Sequence, residues 1–422
     1  MRVQLAWTML AEVVVMVSGV LLLKLAADLL GPLGFGEYTL TRRAIGLMYL
    51  PLVLGLGIAA PRYIAIARAG ALPGHSGRTF AAAAILVGMT PPVVAVFLLN
   101  ASPATASLML FGTTSLEHLV RPASLALAGI ALHSMVYAVY RGRSEMSFAN
   151  AMQVVSLGAV PVAVFLMVER NAAAVLEATG VAWIGVSTIA LLALALREQH
   201  EDRGTAGIRD HLSLLIKFGL PRVPGEFALV GLFAIPALIA VRFEGVVSAG
   251  QFSAAMSMVT IFSGAFTPVG LLVLPKASAM AAIGDIPGVR SLTTRILIAG
   301  MLIAGVGVLL GEIAIPPLVA WYFGPAFLPA VPVFRVCLLA ALPYVAYVLL
   351  RNVLDALDVR AVNSRNLLIA LAMLLLLCLF RPTVMWMAAS LVASMSLLGI
   401  LTLRETWLRL QSPSPPPLAV AA

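Results

Sequence analysis

Long runs of apolar residues, separated by short polar turns, follow one another along the whole chain. Each run approaches or exceeds the roughly 20 apolar residues that a helix needs to cross a bilayer. Runs of this length and number are not typical of the core helices of a water-soluble domain. The pattern predicts twelve membrane-spanning helices, at residues 5–30, 38–67, 79–99, 116–140, 147–168, 172–196, 212–241, 247–275, 291–320, 326–350, 366–380 and 382–403. The expected fold class is therefore an all-α polytopic membrane protein.

The composition supports lipid as the solvent. Of the 422 residues, 61% are hydrophobic and only 11% are charged, and a soluble domain of this size would have to expose its core to water. Cys337 and Cys378 both fall inside apolar runs, so they indicate neither a disulfide framework nor a metal site. We therefore expect no metal and no bound cofactor.

The basic residues indicate orientation. The net charge is +9, yet Lys and Arg lie at scattered turns and do not form the patch that nucleic-acid binding requires. Most of them fall in the loops of one side, whereas the loops of the other side hold only Arg170, Arg242 and Arg381. Because cytoplasmic loops are enriched in Lys and Arg, both termini are predicted to be cytoplasmic.

A charged loop at residues 197–211 divides the spans into two sets of six. The predicted organisation is a six-helix bundle at 1–196, a linker at 197–211, a second six-helix bundle at 212–410 and a Pro-rich disordered tail at 411–422. An even number of spans per half gives both halves the same orientation, related by a pseudo-two-fold axis along the membrane normal. This is the architecture of an alternating-access transporter with a cavity between its halves.

An internal repeat supports that division. Gly36-Glu37-Tyr38 and Gly250-Gln251-Phe252 are 214 positions apart, as are Pro61-Arg62 and Pro275-Lys276. A weaker match relates Arg141 through Asn150 to Arg351 through Asn363. Together these matches indicate two related halves.

Charged residues inside the spans are candidates for function, because a charge in lipid is costly unless it faces water or a partner. The acids at such depth are Glu12, Asp28, Glu117, Glu226 and Glu312. The cations are Lys24, Arg42, Arg43, Arg62, Arg121, Arg222 and Arg335.

Helical spacing pairs some of these charges on one helix face. The pairs are Lys24 with Asp28, Glu117 with Arg121, and Arg222 with Glu226. For the first two pairs, mutual neutralisation and a functional role explain the presence of the charges equally well. The third pair differs because Pro221, Pro224 and Gly225 must interrupt the helix there, and a broken helix at membrane depth usually lines a cavity.

Guanidinium groups in a dehydrated cavity favour a phosphate, which they bind bidentately. Glu226 and Glu312 are candidate acids for coupling to an H⁺ or Na⁺ gradient, although Glu312 also fits a helix-end charge beside Trp321. As an alternative, Arg42 and Arg43 extend their side chains to the outer membrane interface. Arg62 and Glu12 lie nearer the cytoplasmic side, and an interfacial position is the alternative for them. The predicted substrate-binding cations are Arg42, Arg43, Arg222, Lys24, Arg121 and Arg335.

Several stretches resemble a known family. LGPLGFGEYTLTRRAIGLMYLPLVLGLGIAAPRYI at 30–64 resembles the opening hairpin of the polysaccharide transporter, or O-antigen (Wzx-type), flippases. FGLPRVPGEF, from residue 218, resembles the start of their second half, and RNVLD at 351–355 the end of a flippase span ten. Unlike the lipid II flippases, the chain has about twelve spans and not fourteen.

The resemblance implies membership of the multidrug/oligosaccharidyl-lipid/polysaccharide exporter superfamily, with its MATE-like fold and its inward-open and outward-open states. It implies a flippase of the bacterial inner membrane whose cavity cations bind the diphosphate of an undecaprenyl-linked oligosaccharide. Within the matched stretches that role falls on Arg42, Arg43 and Arg222. Expected partners are the bilayer, the lipid-linked substrate and glycan polymerase machinery.

Other functions remain open. A cation-coupled multidrug exporter needs a cavity dominated by acids, whereas cations prevail here. A membrane glycosyltransferase needs catalytic acids at the outer surface, and the outer loop at 100–115 holds no charged residue. The chain contains no Walker A sequence, which argues against ATP hydrolysis. We do not expect the protein to be an enzyme. A non-transporting scaffold for a glycan synthase is a further alternative.

Overall fold

The computed structural model describes residues 2–197, 204–358 and 361–411. Residues 198–203 of the predicted linker and 412–422 of the predicted tail lie outside this range. The described residues form helices α1 to α16, without a β-strand, at Arg2–Leu52, Leu56–Arg68, Gly77–Ala101, Pro103–Phe111, Val120–Gly142, Met146–Gln153, Val160–Met167, Ala172–Arg197, Ile208–Gly219, Val223–Gly264, Thr267–Ala282, Ile286–Tyr322, Val331–Leu339, Ala341–Leu357, Val362–Phe380 and Val384–Gln411. Short 3₁₀ helices at Glu117–Leu119, Leu220–Arg222 and Pro325–Ala330 and a π-helix at Val154–Ala159 complete the chain.

Two of the helical segments are long enough to cross a bilayer twice. Ten described segments have the length and apolarity of membrane spans, and two of them, Trp7–Leu52 and Ile208–Ala282, extend over 46 and 75 residues. Each is interrupted by a glycine with positive φ, Gly31 (φ 66°, ψ −179°) or Gly245 (φ 81°, ψ 175°). This backbone conformation is open almost only to glycine. Counting each long segment as two spans makes twelve among the described residues.

Contacts in the first part of α1 give its direction. Asn150 donates a hydrogen bond to Thr8 (2.9 Å), and Gln153, further along, donates to Glu12 (3.1 Å). Because the contacts advance along both segments together, the part of α1 before Gly31 runs parallel to the α6 region.

The chain after Gly31 runs the other way. Tyr49 hydrogen-bonds to Ser134 of α5, and Ile64 of α2 packs against Gly142 at the end of α5. This part is therefore parallel to α5. Helices α5 and α6 are joined by a tight turn at Ser144 (φ 62°) and run in opposite directions. The chain thus reverses at Gly31.

The second half repeats this arrangement. Before Gly245, Gly231 packs against Leu371 of α15, and Glu244 accepts a hydrogen bond from the Val384 amide (2.8 Å) at the start of α16. After Gly245, α11 packs against α14, where Val273 shares an apolar cluster with Val353. In each half, the first span therefore packs alongside the fifth span, and the second span packs alongside the fourth.

The backbone carries the same 214-residue offset as the sequence. Gly31 and Gly245 are 214 positions apart, and so are Gly70 (φ 73°) and Gly284 (φ 77°), in the turns after the second span of each half. The protein is thus an all-α membrane protein built from two repeated six-helix bundles, as predicted.

Contacts divide the chain into two compact units, Met1–Phe227 and Ala228–Ala422. Helix α9, which the sequence places at the start of the second half, packs against α2 and α3 of the first unit. The division at 197–211 stays a prediction, since residues 198–203 of that loop lie outside the described range.

Several predicted elements are more broken than expected. The predicted span 38–67 is interrupted at Leu54 (φ 55°) and Gly55 (φ 69°), where the backbone of Gly219 packs so closely that a Cβ on Gly55 would collide with its carbonyl. The predicted outer loop 100–115 contains helix α4. Hydrophobic periodicity reports neither feature, because both depend on backbone conformation and packing.

Replacement of Gly245 by Ala is expected to destabilise the protein by about 1–3 kcal/mol, because Ala disfavours its φ of 81°. Gly305→Ala is the matched control, since neither glycine has a non-local atom within 4 Å of a built Cβ and only Gly245 has positive φ. Thermal unfolding in lipid nanodiscs measures both. Equal midpoints for the two variants would contradict the assigned role of Gly245.

Candidate substrate-binding site

Arg42 lies on α1 after the Gly31 reversal and is held by an aromatic ring. Its guanidinium donates to the Tyr38 hydroxyl (3.4 Å) and lies 5.4 Å from the centroid of that ring. The side chain is exposed, and no carboxylate of the described residues pairs with it. Its neighbour Arg43 is half-buried and, one residue on, points about 100° away.

Arg222 lies in the 3₁₀ turn between α9 and α10, where the predicted helix break occurs. Its guanidinium stacks on Phe218, 3.7 Å from the ring centroid, and donates to the Phe218 carbonyl (2.5 Å). The predicted ion pair with Glu226 is not formed. Glu226 instead lies in the first turn of α10, where a negative charge is favourable beside the helix dipole.

A second arginine shares the Phe218 ring. The guanidinium of Arg62, on α2, lies 4.6 Å from the same centroid, and Tyr63 contacts the ring edge-on at 5.8 Å. Arg62 and Arg222 are both exposed, and among the described residues neither has an ion-pair partner. Sequence reasoning left Arg62 out of the predicted set. Its Pro-Arg motif belongs to the repeat, but no pattern in the neighbouring sequence relates Arg62 to Phe218, which lies far away along the chain.

Lys24 and Arg121, two further predicted cations, are neutralised. Lys24 forms the predicted ion pair with Asp28 (2.8 Å). Arg121 pairs with Glu177 of α8 (3.0 Å) and not with the predicted Glu117. The prediction failed because residues 117–119 form a 3₁₀ helix, which removes the i,i+4 alignment of an α-helix.

Arg335 and Glu312 lie together in the second unit. In the sequence, neither residue has an oppositely charged residue at helical spacing. In the structure, the Arg335 Nε lies 3.9 Å from a Glu312 carboxylate oxygen, and this contact joins α13 to α12. The candidate coupling acid and the candidate substrate cation thus partly cancel each other.

A polar cluster surrounds the π-helix of the first unit. Tyr137 and Glu12 both bond to the buried Gln153 side chain, at 2.8 and 3.1 Å. A π-helix shifts the normal carbonyl pairing, and the Trp183 indole donates to the Ser156 carbonyl within it (2.5 Å). π-Helical turns often occur at functional sites, but the sequence has no signature for this one.

The first unit therefore presents arginines that rest on aromatic rings, while its acids Asp28 and Glu177 are engaged in ion pairs, as is Glu312 in the second unit. Within the described residues, no group of three or more His, Cys, Asp or Glu side chains lies close enough to bind a metal. The unpaired guanidiniums of Arg42, Arg62 and Arg222 are suited to binding an anion.

No protein-family model and no curated protein sequence matches the chain. Solved structures do match. An inward-facing multidrug resistance MATE family transporter of the MOP superfamily gives a TM-score of 0.75 at 14% identity, covering 92% of this chain and 94% of that chain. The outward-facing conformation of such a transporter gives 0.65 at 12% identity, covering 96% and 95%.

A third match is a Pyrococcus furiosus transporter of the same superfamily, described as having a binding pocket of reverse polarity that suggests a different function. Its TM-score is 0.61 at 12% identity, with 98% of this chain and 95% of that chain covered. These similarities show that the chain has the multi-pass fold of MATE family transporters.

The pair of Arg335 and Glu312 is expected to be weak, because it is partly exposed and long. A double-mutant cycle with Arg335→Ala and Glu312→Gln should give a coupling of about 0.5–1 kcal/mol from thermal unfolding. The cycle on Glu117 and Arg121, which form no ion pair, is the control and should give none. Equal coupling in both cycles would contradict the observed pairing.

Proposed function

We propose that the chain is an alternating-access flippase that moves an undecaprenyl-diphosphate-linked oligosaccharide across the bacterial inner membrane, for polysaccharide or lipopolysaccharide synthesis. The observation that carries the proposal is that two predicted substrate-binding arginines have no ion pair among the described residues. Arg42 and Arg222 rest on aromatic rings, whereas Asp28, Glu177 and Glu312 are paired.

A diphosphate is the chemical complement of such a site. Guanidinium groups bind phosphate oxygens through two parallel hydrogen bonds, and they remain charged in all cellular conditions. Stacking on Tyr38 and Phe218 orients Arg42 and Arg222 without consuming their charge. The sugar-diphosphate headgroup would cross with the protein while the apolar tail stays in the bilayer.

A cation-coupled multidrug exporter is the second candidate, because matching structures are described as multidrug resistance transporters. A cationic drug would need unpaired acids in the cavity. Asp28, Glu177 and Glu312 are paired, and Glu226, which forms no ion pair among the described residues, is the acid that such a drug would use. The reversed pocket polarity described for the Pyrococcus furiosus transporter supports a change of cargo on this fold.

Energy coupling is part of the same proposal. Glu226, in the first turn of α10, and Glu312, beside Arg335, are the candidate acids for an H⁺ or Na⁺ gradient. Both termini are proposed to face the cytoplasm, where glycan-synthesis enzymes supply the substrate and polymerase machinery consumes it on the other side.

Replacement of Arg222 or Arg42 by Ala is expected to lower the initial translocation rate by about tenfold or more, because a hydrogen bond to a charged group contributes about 1.5–3 kcal/mol. The measurement uses proteoliposomes with fluorescent undecaprenyl-diphosphate sugars. Arg197→Ala is the control, since Arg197 also stacks on a ring, Phe148, but pairs with Glu145.

Unchanged rates in both variants would remove the binding role of these arginines. A wild-type protein that moves no lipid-linked glycan but exports a cationic dye would contradict the flippase and favour the drug exporter. Transport of neither would favour the scaffold.

A further inference from the structure

We propose that Arg62 and Arg222, stacked on Phe218, form a phosphate-binding site at the predicted cytoplasmic end of the first unit. The site takes the diphosphate of a lipid-linked sugar before translocation. Only the identity of that lipid rests on the proposed function. The anion site itself rests on the geometry of the three side chains.

Two like charges beside one ring need compensation. The Arg222 and Arg62 guanidiniums lie 3.7 and 4.6 Å from the Phe218 centroid, so they are near enough to repel each other. The π-face of the ring offsets part of this repulsion. Glu226 attracts Arg222 electrostatically, but no carboxylate of the described residues forms an ion pair with either arginine. A multiply charged anion that contacts both guanidiniums would offset the remaining repulsion.

The other arginines on aromatic rings in the described residues differ from this pair. Arg197 stacks on Phe148 at 4.6 Å and also contacts Glu145 at 3.5 Å. Arg42, Arg141 and Arg290 each have a ring to themselves. At Phe218, by contrast, two guanidiniums lie within 4.6 Å of the centroid of one ring.

The site is fixed in place by the packing of α9. A Cβ on Gly219 would lie 2.5 Å from the Leu54 carbonyl, so α9 meets the break in the preceding helix backbone to backbone. At its other end, the Ser76 amide donates to the buried ring of His211 (3.4 Å). Phe218 and Arg222 are therefore presented to α2 by anchored backbone, and little ordering is required when an anion binds.

The position of Arg222 also connects the site to the helix break. Arg222 is the last residue of the 3₁₀ turn, and α10 begins at the next residue. Arg62 belongs to α2. An anion held by both would bridge α2 and the start of α10.

The test measures binding to the purified full-length protein by titration calorimetry at fixed ionic strength. Inorganic diphosphate and inorganic phosphate probe the anion chemistry, and nanodiscs with undecaprenyl diphosphate or undecaprenol probe the lipid form. We expect diphosphate to bind more tightly than phosphate, and undecaprenol not to compete. Arg62→Gln and Arg222→Gln should each weaken diphosphate binding about tenfold, whereas Arg197→Gln should leave it unchanged.

Phe218→Leu keeps both charges but removes the ring, so it should weaken binding less than loss of either arginine does. It also serves as the second variant if an arginine variant fails to fold by size-exclusion chromatography. Diphosphate affinity that is unchanged in every variant overturns the site. Binding of inorganic diphosphate without competition by undecaprenyl diphosphate overturns the lipid headgroup as its ligand.

Two outcomes distinguish failure of the proposed function from failure of the anion site. If the wild type translocates no lipid-linked glycan but binds diphosphate through Arg62 and Arg222, the anion site stands and the flippase does not. If the wild type translocates the glycan and the variants bind diphosphate normally, the flippase stands and this site does not.

Discussion

Backbone hydrogen bonding in lipid is the constraint on which the rest of the structure depends. An amide or carbonyl that leaves the helical ladder inside a bilayer has no water to bind, so a break survives only where protein compensates. The chain reverses at Gly31 and Gly245, where a missing Cβ permits the conformation. At Leu54 and Gly55 the break lies against Gly219, and at the π-helix Trp183 bonds a freed carbonyl. The π-helix is thus the irregularity at which a side chain from another helix bonds the backbone directly.

The same constraint explains what the sequence predicts well. Because bilayer thickness sets the length of a span, counting apolar runs gives the number of spans and their approximate ends. The 214-residue offset was visible in Gly36 and Gly250, and the structure repeats it in the conformations of Gly70 and Gly284. Short irregular helices such as Glu117–Leu119 were not predictable, since hydrophobic periodicity does not distinguish a short 3₁₀ turn from the first turn of an α-helix.

Side-chain partners were predictable only along one helix. Lys24 and Asp28 pair as their spacing requires. Arg121 and Glu177, or Arg335 and Glu312, lie on different helices, and no periodicity relates such residues. For the candidate site, depth and neighbouring prolines identified Arg222, whereas Arg62 was missed because its value depends on the ring that it shares with Arg222.

The two halves repeat their backbone breaks but only part of their charge, since the offset also relates Arg62 to Lys276, a cation in both halves. The 214-residue offset relates Gly31 to Gly245, yet it relates Arg42 to Met256 and Arg43 to Ser257. Lipid imposes the same backbone requirement on both halves, so the glycines recur. A ligand imposes no such symmetry, because one anion needs its cations only once. A cation present in one half and absent from its repeat is therefore better explained by a ligand than by the scaffold, and Arg42 is such a cation.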